Sequence, residues 1–317
     1  MPTPIKIGVS ACLLGQTVRY DGGHKHERYI TDILGQYCTF VPVCPEVGCG
    51  LPTPREAMRL EGDPAHPRLM TSKSHIDHTD CMLAFCAGKV DELAREDLCG
   101  FIFKKGSPSS GLFRVKVYPV GGGSASNNGS GLFAAAVARR FPLLPVEEEG
   151  RLNDPALREN FIERVFSSRR WKDFLLTRPD LGGLVAFHTR HKLSMMAHSP
   201  RHYRELGVLV AQGKSLPLAE LLRHYEELFM AGLALLATAK KNTNVLQHIM
   251  GYFKKELSPW EKAELLQVIG RYHDQQLPLV VPLTLLQHYV GKYQQPHLRE
   301  QVYLAPHPAE LMLRNHV

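Results

Sequence analysis

Three short apolar runs fix most of what the first half of this chain can become. They are Lys6-Ile7-Gly8-Val9-Ser10, Thr39-Phe40-Val41-Pro42-Val43 and Gly100-Phe101-Ile102-Phe103. Each has strand length, and each runs into a loop rich in glycine, cysteine or serine. Between them lie segments of helical period, over residues 26–37 and over residues 79–96. In the latter, Met82, Leu83, Phe85, Cys86, Val90 and Leu93 share one face. A further strand is predicted over residues 114–118 and a short helix over 132–141. Residues 57–79, with Pro64, Pro67 and scattered charges, read as loop, as does the Gly/Ser/Asn stretch 121–131. Strands alternating with helices predict an α/β domain with a mainly parallel open sheet and flanking helices.

Ligands of open parallel sheets bind beyond the carboxyl ends of the strands. The loops carrying Cys12, Cys44 with Cys49, and Ser107 to Gly111 should therefore converge. The densest is Cys44-Pro45-Glu46-Val47-Gly48-Cys49-Gly50-Leu51-Pro52-Thr53-Pro54-Arg55-Glu56. Cys99 precedes its strand and belongs at the opposite edge. Cys81 and Cys86 fall on a helix and Cys38 at a junction, so these four read as structural. Cys12, Cys44 and Cys49 then form either a thiolate trio or three unligated cysteines. Thiolate-only ligation selects zinc, Cu(I) or an iron–sulfur cluster, and three protein ligands leave one position open. His75 and His78 around Asp77 read as a surface loop.

Seven cysteines, an odd count, do not suggest a disulfide framework where Met1-Pro2-Thr3-Pro4 leads straight into a strand with no leader. No apolar run approaches the roughly 20 residues that span a bilayer. A soluble, cytoplasmic protein with no membrane partner is expected.

Charge divides the chain. Residues 1–150 carry 16 Lys+Arg and 16 Asp+Glu, whereas the rest carries 22 and 15, so the whole formal charge of +7 lies in the second half. The boundary reads at the proline- and charge-rich stretch 142–150, giving domains 1–145 and 146–317. The second half has helical period nearly throughout and predicts an all-α domain of six to eight helices. Asp154-Pro155 and the capping-box pattern Ser258-Pro259-Trp260-Glu261 mark helix starts, and Pro217, Pro282 and Pro296 are placed at others. Four clusters mix basic and aromatic residues: 187–192, 198–204, 240–244 and 252–255. Their Arg190, Lys192, Arg201, Arg204, Lys240, Lys241, Lys254 and Lys255 can contact phosphates. Phe187, Tyr203 and Phe253 among them read as helix core rather than stacking platforms. His188, His191 and His198 lack a neighbouring carboxylate or cysteine in sequence and do not read as a metal site.

Four motifs in order carry a resemblance: Ser10-Ala11-Cys12-Leu13-Leu14-Gly15, then Val18-Arg19-Tyr20-Asp21-Gly22, then Cys44-Pro45-Glu46 with Gly50 to Arg55, then Ser107-Pro108-Ser109 with Gly111. Residues 5–142 resemble the thiouracil desulfidase family. That resemblance implies a 4Fe-4S cluster held by three cysteines, with an open iron that binds the sulfur of a thiolated uracil. It implies Cys12 and Cys44 as ligands, Glu46 as catalytic carboxylate and Ser107 as active-site serine. Ser109, Ser110, Lys104 and Arg55, in the same loops, are the candidate substrate-binding residues. The family's third cysteine falls at Ser110 here, so Cys49 is the expected replacement, with Cys99 next. The second half resembles the YbgA-like domain through Arg190-His191-Lys192, Met196-Ala197-His198-Ser199-Pro200 and Lys241-Asn242-Thr243-Asn244-Val245-Leu246. The fusion resembles the arrangement that removes sulfur from 4-thiouridine in tRNA, and tRNA is the partner it implies. Free thiouracil or a thionucleotide is the alternative substrate. A non-enzymatic iron–sulfur module that binds RNA or senses redox state is the alternative class. No oligomeric state is legible.

Overall fold

The computed structural model describes residues 4–316, so the opening Met1-Pro2-Thr3, read above for a leader, lies outside the described residues. The chain divides into two compact units, Met1–Asp154 and Pro155–Val317.

The first unit is built on a four-stranded sheet of order β2-β1-β5-β8. Its strands are β1 (Ile5–Ser10), β2 (Cys38–Val43), β5 (Leu98–Phe103) and β8 (Val146–Glu148). Every pairing in it is parallel. Both inner strands are covered on both faces, which is why they read as unbroken apolar runs. Ile7, Val9, Phe101, Ile102 and Phe103 are fully buried. Gly8 is required where β1 meets β5, since a Cβ there would lie 2.2 Å from the Phe101 ring.

A second four-stranded sheet, of order β4-β3-β6-β7, is mixed. It holds β3 (Met58–Glu61), β4 (Arg68–Thr71), β6 (Val115–Tyr118) and β7 (Ser126–Gly129). Three of these assignments correct the sequence reading. Residues 57–79 were expected to be loop, yet β3 and β4 pair antiparallel there with Leu60 opposite Leu69. Both leucines are fully buried, and Pro64 and Pro67 occupy the connecting turn, outside the ladder. β7 lay in the stretch expected to be a glycine-rich loop. Its Ser126, Asn127 and Asn128 are exposed, so it carries no apolar signal. The helix expected over 26–37 is a five-residue π turn, Tyr29–Ile33, followed by a 3-10 turn, Leu34–Gln36. Only Ile30 and Leu34 are buried there, too little apolar surface to hold a longer helix.

The helices of this unit are α1 (Pro45–Gly48), α2 (Thr79–Leu93) and α3 (Leu132–Arg140). Met82, Cys86, Val90 and Leu93 of α2 share one core with Phe101, Phe103 and Phe133. The acidic stretch read as part of the boundary forms the edge strand β8. Its Glu148 is 2% exposed and its Oε1 accepts from the backbone N–H of Leu112 at 2.8 Å and Phe113 at 3.1 Å.

The second unit is helical, with no strand among the described residues. Its helices are α4 (Pro155–Leu176), α5 (Leu181–His198), α6 (Pro200–Ala211), α7 (Leu218–Leu233), α8 (Ala239–Met250), α9 (Pro259–His273), α10 (Val280–Lys292) and the short α11 (Pro296–Arg299). Ser258 and Glu261 form the capping box of α9. Pro155 and Pro296 stand first in their helices and Pro217 caps α7, while Pro282 is third in α10. Phe187 and Phe253 are buried and Tyr203 packs on the core, so these aromatics are structural. No helix among the described residues is long and apolar enough to cross a membrane.

A buried charge network ties the two ends of this unit together. Glu163 of α4 lies 3.4 Å from His198 Nε2 and 3.7 Å from Arg314. Arg314 also reaches Glu159 at 3.2 Å. Burial opposes every one of these charges; attraction prevails at Glu163, held well below the carboxylate range, and at His198, which is raised, whereas burial prevails at Glu159 and raises its carboxyl. The raised histidine contributes stability fully below about pH 6.5, and that share is lost as pH rises through its folded value. Glu163 keeps its share down to strongly acidic pH. Glu163→Gln leaves the buried His198 without its carboxylate and removes one of the two that face Arg314, and should cost about 3–5 kcal/mol. Both tryptophans, Trp171 and Trp260, lie in this unit, so urea unfolding followed by tryptophan fluorescence reads the loss directly. An unchanged midpoint would show that the network contributes nothing.

Candidate active site

The carboxyl ends of β1, β2 and β5 open into a single cavity of about 340 Å³. Cys12 enters from the 3-10 turn after β1, Cys44 and Glu46 from the start of α1, and Lys104, Ser107 and Ser110 from the loop after β5. Arg55 closes one wall. Convergence of three loops distant in sequence follows from parallel pairing, as expected.

Glu46 is the hub. Ser109 Oγ donates to Glu46 Oε1 at 2.5 Å. The Cys44 thiol donates to Oε2 at 3.3 Å, and Arg55 Nη2 lies 3.9 Å from the same oxygen. Ser109 is fully buried and also bonds Ser107 Oγ at 2.9 Å, so the two serines pass one hydrogen-bond chain to the carboxylate. Arg55 is held in turn by the carbonyls of Val18, at 3.0 Å, and Pro52, at 3.3 Å. Two glycines let the serine loop pack here. A Cβ on Gly131 would lie 2.4 Å from the Ser109 backbone, and one on Gly111 would lie 2.7 Å from the Ser107 carbonyl.

Both cavity thiols resist ionisation. Burial pushes Cys12 up to about 11, against the pull of Lys104. Burial and the Glu46 charge push Cys44 up to about 12. Lys104 is pinned by Glu149 at 2.5 Å, and Glu149 also accepts from the Lys105 backbone N–H at 2.6 Å. Glu148 and Glu149 thus hold both halves of the β5 loop. They were hidden in an acidic run that reads as linker. Tyr20 and Lys25, both exposed, stand at the cavity with Arg19. They too were missed as site residues, although Arg19 and Tyr20 fall inside a quoted motif.

Cys49 is not with them. Its thiol lies 3.3 Å from the Glu46 carbonyl and is hydrogen-bonded with Cys81, whose own thiol donates to the Cys49 carbonyl at 2.9 Å. It packs on the α2 side, against the core containing Cys86. Cys99 is fully buried near the start of β5, beside Cys38, at the far end of the strand. The cavity therefore gathers two thiols, with the Ser110 hydroxyl in the third position. No group of three or more His, Cys, Asp or Glu among the described residues is arranged to hold a metal ion. A cluster bound by three thiolates does not fit the donors as the fold presents them.

In the helical unit, Arg190, Lys240, Lys254 and Lys255 are exposed and Lys192 is half-buried. Arg201 pairs with Glu205 at 2.7 Å and Arg204 donates to the Pro200 carbonyl at 3.1 Å. Lys241 is spent inside the fold, donating to the carbonyls of His198 at 2.7 Å and Leu236 at 2.9 Å.

Residues 7–149 match the family described as 2-thiouracil desulfurase, and residues 192–308 match a family described as a protein of unknown function, DUF1722. The uncharacterized protein YbgA of Escherichia coli (strain K12) is 33% identical over 147 residues, covering 46% of this chain and 85% of that protein. This chain belongs to the YbgA family and carries a 2-thiouracil desulfurase domain. A solved structure described as the [4Fe-4S]-dependent thiouracil desulfidase TudS is 32% identical, covering 47% of this chain and 94% of that one, with a TM-score of 0.38. The cavity described above lies wholly within the desulfurase domain.

Without bound metal, Cys12 and Cys44 should stay protonated near neutral pH, and a thiol is a poor nucleophile. Iodoacetamide should label the exposed Cys81 of the desulfurase domain first, as read by peptide mass spectrometry. Labelling of Cys12 or Cys44 at the Cys81 rate would contradict this reading of the cavity.

Proposed function

We propose that this protein is a cytoplasmic desulfidase that converts 4-thiouridine in tRNA to uridine and sulfide. The observation that carries the chemistry is Glu46, oriented by Ser109 and Arg55 in a cavity of nucleobase size beside two thiols. Water adds to the thiocarbonyl carbon, a carbonyl forms, and sulfur leaves as sulfide. Glu46 accepts the water's proton, a role that needs only hydrogen-bond reach and a fixed carboxylate. Ser107 hydrogen-bonds the ring or the water, and Ser110, Lys104 and Arg55 bound the space in which the base sits.

The cofactor that goes with this reading is the 4Fe-4S cluster of the sequence resemblance. Cys12 and Cys44 would hold it as thiolates, and Cys49 would join them as third ligand only by leaving Cys81. Iron and sulfide content after anaerobic reconstitution tests the assignment directly: Cys49→Ala should lose the cluster, and full iron retention in that variant would remove Cys49 from the ligand set.

Support for tRNA over a free base comes from the charge division, with the formal excess of +7 confined to the half that holds the helical unit. Arg190, Lys192, Arg201, Arg204, Lys240, Lys254 and Lys255 remain candidates for phosphate contact, and Lys241 has a structural role. Reconstituted protein given tRNA containing 4-thiouridine should bleach the thiocarbonyl absorbance. Glu46→Gln should slow this by about 10²-fold or more. Binding should weaken steeply between about 50 and 200 mM salt. Turnover of free thiouracil with none on tRNA would sink the tRNA reading.

A further inference from the structure

Beside the catalytic cavity, the desulfurase domain has an open groove of about 590 Å³. Groove and cavity share the turn Lys105-Gly106, which lines both. The other walls of the groove come from Leu112 to Arg114 before β6, from Asn127 and Asn128 of β7, and from Arg151.

Its cations are at the surface and its carboxylates are underneath. Lys105 and Arg114 are exposed, and neither has an ion-pair partner among the described residues. The acidic residue that lines the groove is Glu148, which is buried, with Oε1 taken up by the backbone N–H groups of Leu112 and Phe113. Arg151 answers Glu147, also buried, at 2.7 Å, and Glu149 is taken up by Lys104. Three basic side chains thus face the carboxylates of Glu147 and Glu148, and the excess is positive. The backbone bonds to Glu148 fix residues 112 and 113, with the Leu112 side chain buried and Phe113 left 42% exposed. The Arg151 guanidinium lies over the Phe113 ring, 5.0 Å from its centroid. An exposed ring with a guanidinium on it, flanked by unpaired cations, has the parts of a single-strand binding surface.

We propose that this groove binds the unpaired nucleotide next to the thiolated base of an RNA substrate. A base that enters the catalytic cavity has left its stack, so its neighbour along the strand loses a stacking partner. Across the shared Lys105-Gly106 turn, that neighbour stacks on the Phe113–Arg151 pair, and its phosphates meet Lys105 and Arg114. Asn127 and Asn128, both exposed, offer amides to the base edge. The inference rests on the tRNA reading above and adds a contact on the desulfurase domain itself. The neutral charge sum of residues 1–150 conceals it, because buried carboxylates cancel exposed cations in the count.

The full chain is titrated with tRNA and with a short unpaired RNA. The short RNA carries uridine at the target position and, beside it, a fluorescent purine analogue that is quenched on stacking. The parent should quench this probe and leave a probe at the far end of the strand bright. Phe113→Ala should abolish the quenching and weaken binding by about 10-fold, the loss of one stacked base. Arg114→Gln should keep the quenching and lower the slope of log affinity against log salt by about 0.7. Both side chains are exposed, so thermal unfolding followed by circular dichroism should be unchanged. Variants that match the parent in quenching and affinity, or a parent that binds tRNA but not the short RNA, overturn the groove and leave the tRNA reading in place. A parent that binds neither RNA defeats the tRNA reading, and the groove with it. The expected losses in a protein that releases no sulfide support the groove and defeat only the chemistry.

Discussion

Parallel pairing of β1 with β2 on one side and β5 on the other is the constraint on which the desulfurase domain depends. A parallel ladder puts all carboxyl ends on one edge and forces each connection to cross back over a face. The loops that carry Cys12, Cys44 with Glu46, and Ser107 to Ser110 are therefore brought to one cavity without any contact between them having to be found by the chain. The edge strand β8 extends the same sheet and delivers Glu148 and Glu149 under the serine and lysine loop. An acidic run that resembles a solvated linker thus anchors the loop that lines the site.

Within the cavity burial favours neutral sulfur. Glu46 receives a hydroxyl, a thiol and a guanidinium, so its carboxylate is satisfied on both oxygens. The same negative charge and the same burial hold the Cys44 thiol protonated. A cationic guest would reverse that balance, since positive charge beside a thiol favours its thiolate. The pairing of Cys49 with Cys81, on the α2 side, separates the third candidate thiol from the first two. The local reason is placement: Cys44 precedes α1 and Cys49 follows it.

The helical unit uses its charges differently. Glu163, His198 and Arg314 are buried together and compensate one another, whereas Arg170 and His191 each bury one nitrogen atom without a hydrogen-bond partner. Several basic residues that look equivalent in sequence separate into distinct roles. Lys241 satisfies the His198 carbonyl at the end of α5 and the Leu236 carbonyl beyond α7, Arg201 answers Glu205, and Arg190 is exposed at a cavity. Burial and partners, not residue type, divide them.

The sequence alone determined the α/β character of the first half and the helical character of the second. Apolar period and helix caps are local properties, and burial of β1 and β5 on both faces leaves an unbroken apolar signature. It also determined that the Cys12, Cys44 and Ser107 loops meet, because parallel topology implies it. It did not reveal β3, β4 and β7, which are four residues long and either polar or separated by a proline-containing turn, nor the shortness of the helical turns over residues 29–36. Only the tertiary structure decided which way each side chain faces. Cys49 points to Cys81 rather than to Cys44, Glu149 reaches Lys104 across 45 residues, and Arg170 is brought to His191 by the packing of two helices. These are long-range juxtapositions, and no local pattern of residues encodes the direction of a side chain once helices and strands have packed.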